Sequence, residues 1–127
     1  MIRAQYHVRR VGGQVHAWDV RRLVARADGL PVEEVPLAEI AELDEPYWFD
    51  VTGDVPTCRA VLAHVRQAEA ADLTFPVLLC PGGRILDGMH RVLKALDAGM
   101  ESVPARRLTY LPPPDAVDTP LADLPYD

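Results

Sequence analysis

The chain has 127 residues, of which 49% are apolar and 25% are charged. That length fits one domain with its own core, and the composition excludes a disordered tail or a coiled coil. No apolar run is long enough to span a bilayer, and the N-terminus lacks the apolar segment of a secretory signal. Cys58 and Cys80 do not have the spacing of metal ligands, so we expect a cytoplasmic protein without a structural metal.

The net charge of -6 hides a segregation of charge along the chain. Residues 1–26 carry six arginines and one acid, residues 28–54 carry nine acids and no base, and residues 84–110 have a surplus of two positive charges. The acidic total disfavours nucleic acid as the main partner, because a phosphate backbone needs a broad basic surface. A DNA-binding or nuclease-related role therefore ranks third among the hypotheses, while a small anion pocket stays open.

The spacing of apolar residues predicts the elements of the first half of the chain. A helix is expected over 18–27 and a short strand over 34–37. The stretch 41–56 is expected to form a short helical turn and then an irregular loop, because it contains two prolines and a glycine. Thr57 is expected to cap a helix that continues to about residue 71.

The second half of the chain predicts two strands, a helix and a further strand. "FPVLLC" has the continuous apolar run of a strand buried on both faces, and "PGG" turns the chain into a second strand, "RIL". Apolar residues at helical spacing then predict a helix over 88–98, followed by a strand in "SVPARRLTYL". The predicted fold is a small α/β (α+β) domain over 1–110, with a mixed sheet and flanking helices. A tail rich in Pro and Asp over 111–127 is expected to be extended on the surface or mobile.

The turn "DGMHR" at residues 87–91 carries the main functional signal. With Asp87 at the cap and Gly88 as the first helical residue, the first N–H groups of the helix would form an anion site. Gly88 would allow a phosphate to approach, and His90 and Arg91 would add donors. The alternative is that Asp87 only caps the helix, Gly88 only serves the turn, and both basic residues are solvated or ion-paired. Met89 is expected in the core.

These residues resemble the core of the ParB/sulfiredoxin superfamily, closely over 76–108 and loosely over 35–110. The shared pattern is a proline-initiated apolar strand, a tight turn, a second strand ending in Asp-Gly, and x-His-Arg opening a helix. The resemblance implies that fold, and it implies that Gly88, His90 and Arg91 bind the phosphates of a nucleotide.

Differences from the superfamily's patterns reduce the number of activities that the resemblance implies. Met89 stands where sulfiredoxins have a catalytic cysteine, which disfavours repair of sulfinic acids. Partitioning ParB proteins have Glu-Arg-Arg after the glycine and a helix-turn-helix domain downstream, whereas this chain has Met-His-Arg and a proline-rich tail. The motif is most similar to the Asp-Gly-His-His-Arg turn of free-serine kinases. Their catalytic carboxylate follows the first strand, where Asp44 and Glu45 are the nearest counterparts.

The leading hypothesis is therefore a domain that binds ATP, ADP, CTP or another phosphorylated small molecule at residues 87–91. Whether it also catalyses phosphoryl transfer or hydrolysis is left open. If it does, Glu45 or Asp44 would act as general base, and Asp50 and Asp54 would help to hold Mg²⁺. The plainer interpretation of these acids is a solvated face of a flexible loop.

The second hypothesis is a non-catalytic interaction module that retains the fold. Its basic N-terminal segment and its acidic loop would dock a protein partner or a second copy of the chain.

Overall fold

The computed structural model describes residues 5–50 and 55–125, and within these ranges the chain forms three helices and two sheets. This mixed α/β architecture confirms the predicted fold class. The helices are α1 (Val20–Ala27), α2 (Cys58–Ala70) and α3 (Met89–Asp97). The strands are β1 (Tyr6–Val11), β2 (Gln14–Asp19), β3 (Glu33–Pro36), β4 (Val77–Leu79), β5 (Ile85–Asp87), β6 (Ser102–Arg107) and β7 (Ala116–Val117). Among the described helices, none has the length and apolar character needed to cross a membrane.

The larger sheet has four strands in the order β3-β6-β4-β5. Strands β4 and β6 are parallel and are connected through α3, while β3 and β5 pair antiparallel with their neighbours. The sheet is therefore mixed, as the sequence predicts. The connection through α3 places the beginning of that helix directly after β5.

Strand β4 is buried on both faces, and alternate side chains enter two different core clusters. Val77 and Leu79 pack in the first cluster with residues of α3 and β6, including Met89. Leu78 packs in the second cluster, together with Cys80 and residues of β2 and α1. The fully apolar sequence of this strand is explained by burial on both sides, which stabilises the fold by roughly 2 kcal/mol per large side chain.

The N-terminal segment forms a β-hairpin that the sequence analysis did not predict. β1 and β2 pair antiparallel around a turn at Gly12, whose φ is +61°. Trp18 belongs to β2, so the helix predicted over 18–27 begins later than expected. Asp19 caps α1 by accepting a hydrogen bond from the Arg21 backbone N–H at 2.9 Å, and this cap fixes the first helical residue at Val20.

The C-terminal segment packs against this hairpin. β7 pairs antiparallel with β2, and the Trp18 indole N–H donates to the carbonyl oxygen of Pro112 at 2.7 Å. Asp115 accepts from Arg22 at 2.8 Å, and Leu124 is buried. Of the predicted alternatives, the described part of the tail adopts the one that lies along the surface.

Helix α2 begins as predicted, because Thr57 accepts a hydrogen bond from the Ala60 backbone N–H at 3.1 Å. Val61, Leu62, Val65 and Ala68 form an apolar stripe on this helix, and of these four only Ala68 is buried. Val61, Leu62 and Val65 are 40–46% exposed. The apolar stripe of α2 therefore faces mainly solvent in the described chain.

The beginning of α3 corrects the position predicted for the cap. Asp87 is the last residue of β5, and Gly88, not Asp87, occupies the cap position without any side-chain hydrogen bond. Gly88 has φ +108°, which glycine adopts at little cost and other residues rarely adopt. A Cβ on Gly88 would lie 3.1 Å from the guanidinium of Arg91 and 3.2 Å from Val77. The turn thus requires glycine for its conformation and for close packing.

We predict that Gly88→Ala destabilises the protein more than Gly99→Ala. Gly99 also has a positive φ, +76°, but no atom lies within 4 Å of a Cβ placed on it. Gly99→Ala should cost about 1 kcal/mol from backbone strain alone, whereas Gly88→Ala adds close contacts with Arg91 and Val77. Urea unfolding measures both free energies, and equal losses would contradict the packing argument.

Candidate functional site

A cleft of about 680 Å³ lies between β1, the segment 42–50 and the turn that joins β5 to α3. The segment 42–50 contributes Trp48, and α2 adds His64, so the side chains of the cleft come from elements distant in sequence. Its basic residues are His7, Arg9, Arg10, His64, Arg84 and His90, and its acidic residues are Glu42, Glu45, Asp50 and Asp87.

The arginines of the cleft differ in how their charge is compensated. Arg84 forms a bidentate ion pair with Glu45, with N–O distances of 2.7 and 2.8 Å, and its Nε lies 3.6 Å from Glu42. Arg9 instead donates to Nε2 of His7 at 3.0 Å and lies over the Trp18 ring. Arg9 forms no ion pair with a carboxylate in the described residues. Its positive charge is therefore available to an anion in the cleft.

His7 lies beneath these arginines in a buried position. Burial, followed by the nearby charges of Arg9 and Arg84, lowers the pKa of His7 from 6.5 to about 3. His7 is therefore neutral at physiological pH and accepts the Arg9 hydrogen bond.

Arg91 stands in a different position from the one that the sequence suggested. Its Nη2 lies 2.8 Å from Oδ2 of Asp87, and its Nη1 donates to the carbonyl oxygens of Phe75 at 3.1 Å and Pro76 at 2.6 Å. The side chain is only 17% exposed. Asp87 and Gly88 line the cleft, but Arg91 does not. The guanidinium thus connects α3 to the segment before β4.

His90 lines the cleft as part of a cluster of three rings. Its Nε2 lies 2.9 Å from Nδ1 of His64, and the Trp48 ring stacks on both imidazoles, with centroid distances of 4.1 Å to His64 and 4.6 Å to His90. Burial, and secondly the neighbouring His64, lowers the pKa of His90 to about 4. His90 is therefore a neutral ring at pH 7, with a hydrogen-bonding function but no positive charge.

The two candidate bases occupy different environments. Both carboxylate oxygens of Glu45 accept hydrogen bonds from Arg84, and these bonds hold the pKa of Glu45 below its ordinary value. A carboxylate in that state is a weak proton acceptor at neutral pH. Asp44 is exposed and does not line the cleft.

The structure describes one of the two predicted Mg²⁺ ligands. Asp50 is exposed and lines the cleft, whereas Asp54 lies outside the described residues. Across 5–50 and 55–125, no group of three or more His, Cys, Asp or Glu side chains is placed to hold a metal ion. Because one of its two predicted ligands lies outside the described residues, the Mg²⁺ site stays a prediction.

Glu42 is a residue of the cleft that the sequence analysis did not single out. Its side chain is 1% exposed, and Oε2 accepts a hydrogen bond from the Ile85 backbone N–H. The other oxygen, Oε1, has no hydrogen-bond partner among the described residues. Burial together with the charge of Glu42 raises the pKa of Tyr47 to about 12. In the sequence Glu42 is one of nine acids spread over residues 28–54, a stretch without a base, so only the fold distinguishes it.

No protein-family model matches this chain, and the searches of curated proteins and of solved structures found no similar protein.

We predict that the free energy of unfolding falls as the pH decreases from 6.5 to 4.5. In this window the unfolded histidines gain protons, while folded His7 and His90, with pKa values of about 3 and 4, resist protonation. Stability is lost wherever the unfolded state binds more protons, so buried His7 should contribute about 2 kcal/mol to the loss and half-buried His90 about 1 kcal/mol.

Urea titrations at the two pH values measure this loss. His90→Gln should reduce it, and His16→Gln, a change outside the cleft, should leave it intact. The same pH dependence in the wild type, His7→Gln and His90→Gln would contradict the assignment.

Proposed function

We propose that this chain binds a small phosphorylated molecule in the cleft, with a nucleotide as the expected class. The observation that carries the proposal is Arg9, which lines the cleft and has no carboxylate partner among the described residues. A guanidinium in such a position suits the paired oxygens of a phosphate. The resemblance of "DGMHR" to the phosphate-binding turn of the ParB/sulfiredoxin superfamily supports the nucleotide class.

The beginning of α3 supports the same location for the phosphate. Gly88 and His90 both line the cleft, and the first N–H groups of a helix have no partners within it. Those N–H groups, together with the helix dipole, favour an anion. In this proposal Arg9 supplies the positive charge, His90 supplies a neutral hydrogen-bonding group, and Arg91 holds the turn in place.

Glu42 is the residue that we propose as base if the bound nucleotide is turned over. Its Oε1 has no partner among the described residues, whereas Glu45 is fully engaged by Arg84. Oε1 would take the proton of a hydroxyl or water while the oxygen of that hydroxyl or water bonds to phosphorus. The bond from phosphorus to the leaving oxygen would then break.

Phosphate release from ATP and CTP tests this role. Glu42→Gln preserves the shape of the side chain and should lower turnover at least tenfold, while nucleotide affinity changes little. Asp44→Asn is the matched control, because Asp44 does not line the cleft, and it should leave turnover unchanged. Equal turnover in the wild type and Glu42→Gln would remove Glu42 as the base.

A non-catalytic interaction module is the second candidate function. It is favoured by the exposed side chains of Val61, Leu62 and Val65 on α2, because apolar groups clustered on a surface are typical of protein interfaces. Absence of nucleotide binding would make this candidate the leading one.

We predict that Arg9→Gln weakens nucleotide binding at least tenfold. The variant removes a charge-assisted hydrogen bond, which is worth about 1.5–3 kcal/mol. Titration calorimetry with ATP, ADP, CTP and GTP measures the effect. Arg22→Gln serves as control, because Arg22 is an exposed arginine outside the cleft that pairs with Asp115. Equal loss in both variants would indicate nonspecific attraction, and no loss in Arg9→Gln would overturn the proposed site.

A further inference from the structure

A second cavity, of about 490 Å³, lies on the other side of the Asp87–Gly88 turn. Residues that line both spaces show that they adjoin: Gln5, Val20, Asp87, Gly88 and His90. Its volume lies within the range of roughly 300–1,000 Å³ found for small-molecule sites. Its walls are mostly apolar and come from α1, β4 and the segment before β4: Val20, Val24, Ala27, Pro76, Val77 and Leu78.

Arg106 of β6 lines this cavity with an unsatisfied donor. Its Nε is buried and has no hydrogen-bond partner among the described residues. The neighbouring Arg107, in contrast, pairs with Glu33 at 2.9 Å. Because leaving a buried N–H without an acceptor is unfavourable, the position of Arg106 suits a ligand that brings an acceptor into the cavity.

Phe75 lines the same cavity and is 63% exposed. The backbone carbonyl oxygen of Phe75 is bonded to Arg91, so the residue is anchored while its ring remains accessible. An aromatic ring at the wall of a cavity offers a flat surface on which a planar group can stack. The cavity thus combines mostly apolar walls, a stacking surface and one buried donor without a partner, beside the ion pair of Arg91 with Asp87.

We propose that the second cavity binds a planar heteroaromatic group of the ligand, such as a nucleobase, while its phosphate lies in the cleft. A ring oxygen or nitrogen accepts from Nε of Arg106, and Phe75 stacks on the face of the ring. This inference rests on the proposed function, because it joins the two adjoining spaces into one site for a ligand with an anionic and an aromatic part.

Calorimetry with ATP, CTP and inorganic triphosphate measures separately the affinity due to the phosphate in the cleft and the affinity due to the ring in the second cavity. The nucleotide should bind at least tenfold more tightly than inorganic triphosphate. Phe75→Ala and Arg106→Lys should each weaken nucleotide binding about tenfold while leaving triphosphate binding unchanged. Tyr110→Ala is the control, because Tyr110 is an exposed aromatic residue outside both spaces.

The possible outcomes distinguish this inference from the proposed function. If nucleotide and triphosphate bind equally and Phe75→Ala has no effect, the second cavity does not hold the ring, and the phosphate site stands. If neither anion binds, the proposed function fails. NMR titration with adenosine and cytidine then decides about the cavity: shifts of the Phe75 signals that Arg106→Lys abolishes support it, and their absence overturns it. Phe75 is exposed, so its variant should fold even if Arg106→Lys does not.

Discussion

Burial of β4 on both faces is the constraint on which the other elements depend. Val77 and Leu79 hold α3 against one face of the sheet, and Leu78 holds α1 and the hairpin against the other. The hydrophobic effect therefore acts through one short strand to position both sides of the cleft. A polar residue in β4 would disturb α3 and β1 together, although neither is its neighbour in sequence.

The elements predicted correctly are those whose signal is local. The apolar run of β4 and the helical spacing in α3 each report burial directly, and Thr57 marks the start of α2. The hairpin was missed although Gly12 and Gly13 separate two extended runs, because its arginines conceal the alternation of a strand. The cap at Asp87 was wrong because "DG" before a helix has two interpretations. Only the packing around Gly88 shows that the glycine must take the cap position.

The chemistry of the cleft was harder to predict from the sequence, because it depends on which charged side chains contact each other in the fold. The motif predicts that Arg91 binds an anion, but in the fold its guanidinium donates to Asp87 and to two carbonyl oxygens. Arg9 has no distinguishing neighbour in sequence, yet it enters the cleft without a carboxylate partner in the described chain. The sequence does not distinguish Glu42 from Glu45. In the fold, Oε2 of Glu42 accepts from the Ile85 backbone N–H, whereas both oxygens of Glu45 accept from Arg84. Ion pairing and burial thus distinguish these side chains, and both arise only from tertiary structure.

The contacts of the C-terminal segment have a consequence for the order of folding. β7 pairs with β2, and the Tyr6 hydroxyl donates to the carbonyl oxygen of Pro125. β1, which carries Arg9, pairs directly with β2, whereas β7 comes from far along the chain, with Val117 opposite His16 on the other edge of β2. Contacts of long sequence separation form slowly, because the loop that they close costs conformational entropy. We therefore expect the wall of the cleft that carries Arg9 to be secured late in folding.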